Sequence, residues 1–135
     1  PGIKRTLFEL IATEIDNSEL RNISFNQLTA KMICDAATKG DTLALKAFDF
    51  TGKMLGMKLS DAVAHTSPEA IFLFGGLAIA GDLIFAPAIK YMEENLLYVF
   101  RNKVKILPSA LMHKNVAVLG AGALIWNELK TSQKS

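Results

Sequence analysis

The residues best suited to chemistry are two adjacent glycines, Gly75 and Gly76, which follow the apolar run Ala70-Ile71-Phe72-Leu73-Phe74 and precede Leu77. Glycines lack Cβ, so their backbone amides can come close to a phosphate or a nucleoside, and a helix starting just beyond them favours anions. The spacing is neither G-x-G-x-x-G nor a loop ending in Lys-Ser/Thr, so dinucleotide and Walker-type readings both fail. A tight strand-to-helix turn is the competing reading of the same pair. The other candidates are poorer. His65 ends a helical segment and His113 lies in a loop, with no His, Cys or carboxylate at ligand spacing, so both read as surface or turn positions. Cys34 falls on the apolar side of a short helix and reads as a small buried hydrophobe. Glu93 and Glu94 are adjacent, so they point to different parts of a helix surface, unlike a catalytic pair. Arg101, Lys103 and Lys105, with Tyr98 and Phe100 nearby, read as a solvated turn rather than a nucleic-acid surface. Gly120 and Gly122 lie in a helical pattern, where each costs about 1 kcal/mol relative to Ala. That cost predicts close packing there against another backbone or a bound ligand.

Composition bounds what these residues can belong to. The chain has 135 residues, 50% hydrophobic, 21% charged and 8% aromatic, which suits one globular domain and excludes disorder, collagen and coiled-coil repeats. The longest charge-free stretches, Ala70 to Gly81 and Val116 to Asn127, fall well short of the roughly 20 residues needed to cross a bilayer. With 15 Lys+Arg against 13 Asp+Glu, the net charge of +2 gives no field that argues for nucleic acid or an anionic membrane. A single cysteine excludes an internal disulfide framework and any cysteine-rich zinc site built by this chain alone. A soluble protein in a reducing, cytoplasmic setting is expected. No signal peptide is visible, and the chain opens on Pro1-Gly2 without an initiator Met, as a processed or excised piece would.

The elements that must position the glycines can be read in order. Lys4 to Asp16 carries Leu7, Leu10 and Ile11 at helical spacing, and Asn17 to Gln27 is a polar loop. Thr29 can cap a short helix that Gly40 closes. From Asp41 to about His65, Ala44, Phe48, Thr51, Leu55, Leu59 and Ala62 step by three or four, with Lys46, Asp49, Lys53, Lys58 and Asp61 on the wet side of a long helix. Ser67-Pro68 ends it. The run 70 to 74 lacks alternation, as a central parallel strand covered on both faces would. Beyond the glycines, Pro87 suits the first turn of a helix reaching about Phe100. Val104 to Leu107 alternates and stops at Pro108, and Asn115 can cap a last helix from Val116 to Leu129. The order belongs to the α/β class with helices covering a parallel sheet. Two strands are too few for a stable sheet of that kind, which places the missing strands upstream.

Taken together, I-F-L-F-G-G-L-A-I-A-G-D (71 to 82), V-K-I-L-P-S-A-L (104 to 111) and V-A-V-L-G-A-G-A-L (116 to 124) resemble the C-terminal part of the ROK family of sugar kinases and repressors. K-G-D-T-L-A-L-K-A-F (39 to 48) resembles the stretch ahead of that family's long helix, and P-G-I-K-R-T (1 to 6) the segment after its zinc-binding cysteines. The resemblance implies the distal part of an actin-like, hexokinase-type (RNase H-like) ATPase domain with an incomplete parallel sheet. It also implies ATP with Mg²⁺ and a hexose as ligands of the complete protein, which is expected to be a homo-oligomer without a membrane or nucleic-acid partner. Gly75 and Gly76, with Leu77 following, match positions that pack against the adenosine part of ATP, and Gly81 matches a supporting turn. The family's phosphate-binding segment, catalytic Asp, sugar-contacting Glu and His, and zinc-binding cysteines have no counterpart here. Leu77 stands where many relatives have a third glycine, and Lys114-Asn115 where acidic residues are usual.

The expected function is a fragment of an ATP-dependent hexose kinase of the glucokinase type, contributing adenosine-side contacts. The alternatives are the equivalent piece of a sugar-responsive ROK repressor and an unrelated α/β scaffold with structural glycines. Phosphoryl transfer needs a base for the sugar hydroxyl and a clamp for the Mg²⁺-phosphate group, and neither is visible in this chain. The isolated chain is therefore expected to be inactive: a coupled assay with glucose and MgATP should release no ADP above background. Turnover would show that a base and clamp are present after all.

Overall fold

In the computed structural model, the described residues are 2 to 111, 118 and 120 to 126. Helix α1 (Gly2–Thr13) buries Ile3 and Leu7, with Leu10 and Ile11 packed at the margin of the core. It stops three residues before Asp16. The reason is Arg21, whose guanidinium donates to the carbonyls of Ile11 (2.9 Å), Glu14 and Asp16 (2.8 Å) and so satisfies acceptors left open at the helix end. Lys46 binds the same corner, its Nζ lying 2.8 Å from Glu14 Oε2 and 2.7 Å from Asp16 Oδ2, and these two acceptors raise its pKa. The polar stretch after α1 is not wholly irregular. Ser18 accepts from the Leu20 amide to start a 3-10 turn, Glu19–Asn22, which buries Leu20.

Helix α2 (Ala30–Thr38) begins as its sequence signals, with the Thr29 hydroxyl accepting from the Met32 amide at 3.2 Å. It ends in a Schellman turn: Gly40, at φ +92°, donates to Ala37, and Asp41 donates to Ala36. Asp41 then caps α3 (Thr42–Thr66) by accepting from the Ala44 amide at 2.9 Å, so one short turn closes one helix and opens the next.

The buried stripe of α3 departs from the hydrophobic periodicity. Leu43, Ala44, Ala47 and Phe48 are buried, but further on the buried positions are Gly52, Gly56, Ser60 and Val63, while Leu55 and Leu59 are half-buried and Ala62 is exposed. The cause is α4 (Asp82–Asn95), which makes the most extensive helix–helix contact of the fold with α3. A Cβ on Gly52 would lie 2.6 Å from Pro87 Cγ, and one on Gly56 would lie 2.6 Å from the Ala88 carbonyl oxygen and 2.7 Å from the Met92 nitrogen. Backbone approach, not side-chain bulk, sets this face. Pro87 is therefore not in the first turn. The helix starts five residues earlier at Asp82, and Pro87 lies inside it, its ring seated on Gly52. The helix also ends at Asn95, short of Phe100, and a 3-10 turn, Tyr98–Phe100, follows.

Strands β1 (Ala70–Leu73) and β2 (Lys105–Pro108) pair in parallel, Ile71 with Ile106 and Phe72 with Leu107, as the only sheet among the described residues. Ile106 is buried and Ile71 and Leu73 pack against the core, whereas Phe72 and Phe74 are 61% and 58% exposed. Among the described residues, the expected cover on both faces of β1 is thus present on one face only. Residues 118 and 120 to 126 are helical, but a Cβ on Gly120 or Gly122 would meet nothing within 4 Å, so the close packing expected of these glycines does not occur among the described residues. Asn115, His113 and the ends of that last helix lie outside the described residues.

The two kinds of helical glycine make opposite expectations. Gly56→Ala gains helix propensity of about 1 kcal/mol. Its Cβ must displace backbone atoms of α4, and overpacking of that kind costs about 1–3 kcal/mol, so the melting temperature should fall. Gly120→Ala meets no atom and should leave the melting temperature unchanged or raise it. Thermal unfolding by circular dichroism checks both, and a stabilised Gly56→Ala would contradict the contact.

Candidate nucleotide-side site

The glycine loop leaves the carboxyl end of β1, the end at which open α/β sheets bind ligands. Gly75 has φ +97°, a value that favours glycine, and its carbonyl accepts from the Ala78 amide at 3.1 Å. Ala78 to Ala80 then form a 3-10 turn, in which Ala78 is buried and Leu77 packs against the core. Gly81 closes the turn at φ +58°, ψ −133°, angles open essentially to glycine alone. Its carbonyl accepts from both Ile84 and Phe85 at 3.0 Å, starting α4. The loop is therefore a short strap between two glycines with positive φ.

Among the described residues, a Cβ at Gly75, Gly76 or Gly81 would meet nothing within 4 Å, so these residues border open space there and not packed protein. Beside the strap, a cleft of about 290 Å³ is lined by Ala78, Ile79, Gly81, Asp82, Phe85, Ile89, Ile106 and Pro108. Ile79, at the tip of the strap, is 58% exposed. The structure thus joins the strap, the first turns of α4 and the end of β2 into one concave surface. Asp82 is the acidic residue of the first turn of α4. Its charge compensates the helix dipole and opposes a phosphate at the same place.

The other candidates fall elsewhere. His65 lies exposed in the last turn of α3, Cys34 is half-buried against the core, and the Glu93 carboxylate accepts from the Asn102 amide at 2.9 Å. Arg101 Nε donates to the Leu96 carbonyl at 3.2 Å, while Lys103 and Lys105 are exposed. Tyr91 donates its hydroxyl to Asp49 at 3.1 Å, a bond that raises the phenol pKa and ties α4 to α3. Among the described residues no group of three or more His, Cys, Asp and Glu could hold a metal ion, so the zinc that the resemblance implies finds no ligand set there. No helix among the described residues is long and apolar enough to cross a membrane.

The parallel sheet, the glycine strap at the strand's end and the helix that follows define the class: part of an α/β domain with the actin-like ATPase fold that ROK sugar kinases have. The chain belongs to the ROK family, whose model matches residues 8–128. It is 32% identical over 104 residues to NagC, a DNA-binding transcriptional dual regulator of Escherichia coli, which covers 76% of this chain and 25% of NagC. It is 27% identical over 96 residues to a glucokinase of Thermotoga maritima, covering 71% of this chain and 30% of that protein. A solved structure of a putative sugar kinase from Cytophaga hutchinsonii superposes with a TM-score of 0.79 at 29% identity, over 92% of this chain and 40% of that one. The chain therefore spans about a quarter to two-fifths of the length of these relatives.

Proposed function

We propose that the chain is the nucleotide-side part of an ATP-dependent hexose kinase of the glucokinase type, with residues 1–135 forming the C-terminal portion of its larger domain. The observation that carries this reading is the strap Gly75-Gly76-Leu77 at the carboxyl end of a parallel strand, bordered by open space. Asp82 sharpens it. A carboxylate at the start of α4 disfavours the phosphates there and leaves the strap to the uncharged adenosine end of ATP. ATP would arrive with Mg²⁺, whose charge screens the phosphates, and the metal and the hexose would be held by residues outside this chain. In this reading the intact protein is a cytoplasmic homo-oligomer.

A repressor reading is favoured by one observation, the higher identity to NagC than to the glucokinase. Such a protein would bind the sugar without phosphorylating it and read DNA through an upstream helix-turn-helix. Upstream sequence decides: a helix-turn-helix ahead of a degraded phosphate loop favours the repressor, and an intact loop with a catalytic Asp favours the kinase.

Gly76→Val tests the kinase reading. Gly76 is not among the glycines at positive φ, and a Cβ there meets nothing within 4 Å, so the variant should melt like its parent. A branched side chain facing the adenosine removes ground-state and transition-state contacts together, so the KM for ATP should rise strongly in the intact protein while the sugar KM changes much less. An unchanged ATP KM would assign the pair a purely structural role.

A further inference from the structure

We infer that the outer side of α3 is where two copies of this protein meet, the helix lying antiparallel against the same helix of the second copy about a two-fold axis. This rests on the homo-oligomer reading above and names the face that makes the contact. Phe50, Met54 and Met57 follow one another at steps of four and three residues, so they form one row along the helix, and they are 48%, 45% and 39% exposed. The row is separate from the face that α4 covers, where Gly52, Gly56 and Ser60 are buried, and from Ala44, Ala47 and Phe48, which bury the first half of the helix. Ile15, 97% exposed, extends the apolar surface at one end. It stands between Glu14 and Asp16, both of which bind Lys46, the residue one turn before Phe50. Large apolar side chains gathered on one side of an element have no part in the core, and such a surface marks a contact with another molecule.

The occupant that fits is the same row reversed. A two-fold contact requires a face that complements itself. Reversal about a point between Lys53 and Met54 exchanges Phe50 with Met57, so an aromatic ring meets a flexible thioether twice, a favourable pairing. Met54 lies at the axis against its own copy. Lys53, beside the axis, is drawn aside over the Tyr91 ring, its Nζ 5.7 Å from the centroid, which leaves the middle of the row apolar. The two ends differ in charge. At one end Glu14 and Asp16 share Lys46, and at the other Lys58 is 75% exposed with a 3.4 Å contact to Asp61. Antiparallel docking brings each copy's Lys58 to the other's acidic corner, whereas parallel docking sets acidic corner against acidic corner. An apolar centre with polar ends is the anatomy of a stable interface.

The test follows association of the intact protein by sedimentation velocity over a concentration series, for the parent, Phe50→Ser, Met54→Asp, Lys58→Glu and, at another exposed apolar residue, Leu97→Ser. The parent should sediment as a dimer or a larger even-numbered assembly. Phe50→Ser and Met54→Asp should raise the Kd of association at least about tenfold, the scale of residues central to an interface. Lys58→Glu should raise it about two- to fivefold, the scale of an exposed ion pair, and lose that effect at high salt. Leu97→Ser should leave it unchanged; an equal effect there would mean that exposed apolar surface in general drives association, and overturns the inference. Circular dichroism confirms that each variant keeps its fold. A parent that is monomeric at every concentration removes the homo-oligomer reading and this interface with it. A parent that associates with the same Kd as Phe50→Ser and Met54→Asp keeps that reading and overturns the α3 contact; if those variants also melt lower, residues outside this chain cover the row instead.

Discussion

The contact between α3 and α4 is the constraint on which the rest of the fold depends. Gly52 and Gly56 remove side chains where Pro87, Ala88 and Met92 press in, so two helix backbones meet without intervening bulk. A proline inside a helix removes a hydrogen bond and pushes on the preceding turn, which costs about 3 kcal/mol in an unsupported helix. Here its ring fills the notch over Gly52. The Tyr91 hydroxyl bound to Asp49 pins the same two helices further along their exposed flank. Because α4 is fixed against α3, its first residue is fixed too, and with it the glycine strap that joins it to β1.

The strap illustrates how local backbone requirements and ligand chemistry coincide. Gly75 and Gly81 are needed for their backbone angles, whereas Gly76 is not, and its surroundings are open. A glycine free of conformational need and free of neighbours is more informative about a ligand than one the turn itself requires. In the proposed kinase, the charge of Asp82 at the helix start would disfavour a phosphate there and leave that place to the uncharged end of a nucleotide. Elsewhere in the chain polar groups serve the fold. Arg21 gathers the loose carbonyls after α1, and Lys46 joins the same corner to α3.

Much of the architecture is legible from local signals. Thr29, Gly40 and the run of residues 70 to 74 mark their elements because caps and strands depend on near neighbours. Gly75, Gly76 and Leu77 lie at the end of β1 as their order suggests. What local reasoning misplaces depends on distant contacts. Pro87 favours a helix start on its own, but Gly52, 35 residues earlier in the chain, lets it sit inside the helix. Thr51, Leu55 and Leu59 dominate a hydrophobic periodicity because they are larger, yet Gly52, Gly56 and Ser60 take the buried face because they are smaller. A reading that searched for small residues at four-residue spacing would find them. Arg21 gives no hint in sequence that it ends α1, and the cleft beside Ile79 exists only once β2 is placed in register with β1.

The dependence of the strap on the α3–α4 contact is open to one direct measurement, native-state hydrogen exchange of the parent and of Gly56→Ala. Loosening this contact should speed exchange at the amides of Ala78, Gly81, Ile84 and Phe85, which close the strap and start α4, by about tenfold or more. The amides of Ile33, Lys39 and Gly40 around α2 should keep the parent's protection. Unchanged exchange in the strap, with faster exchange confined to the middle of α3, would contradict the dependence.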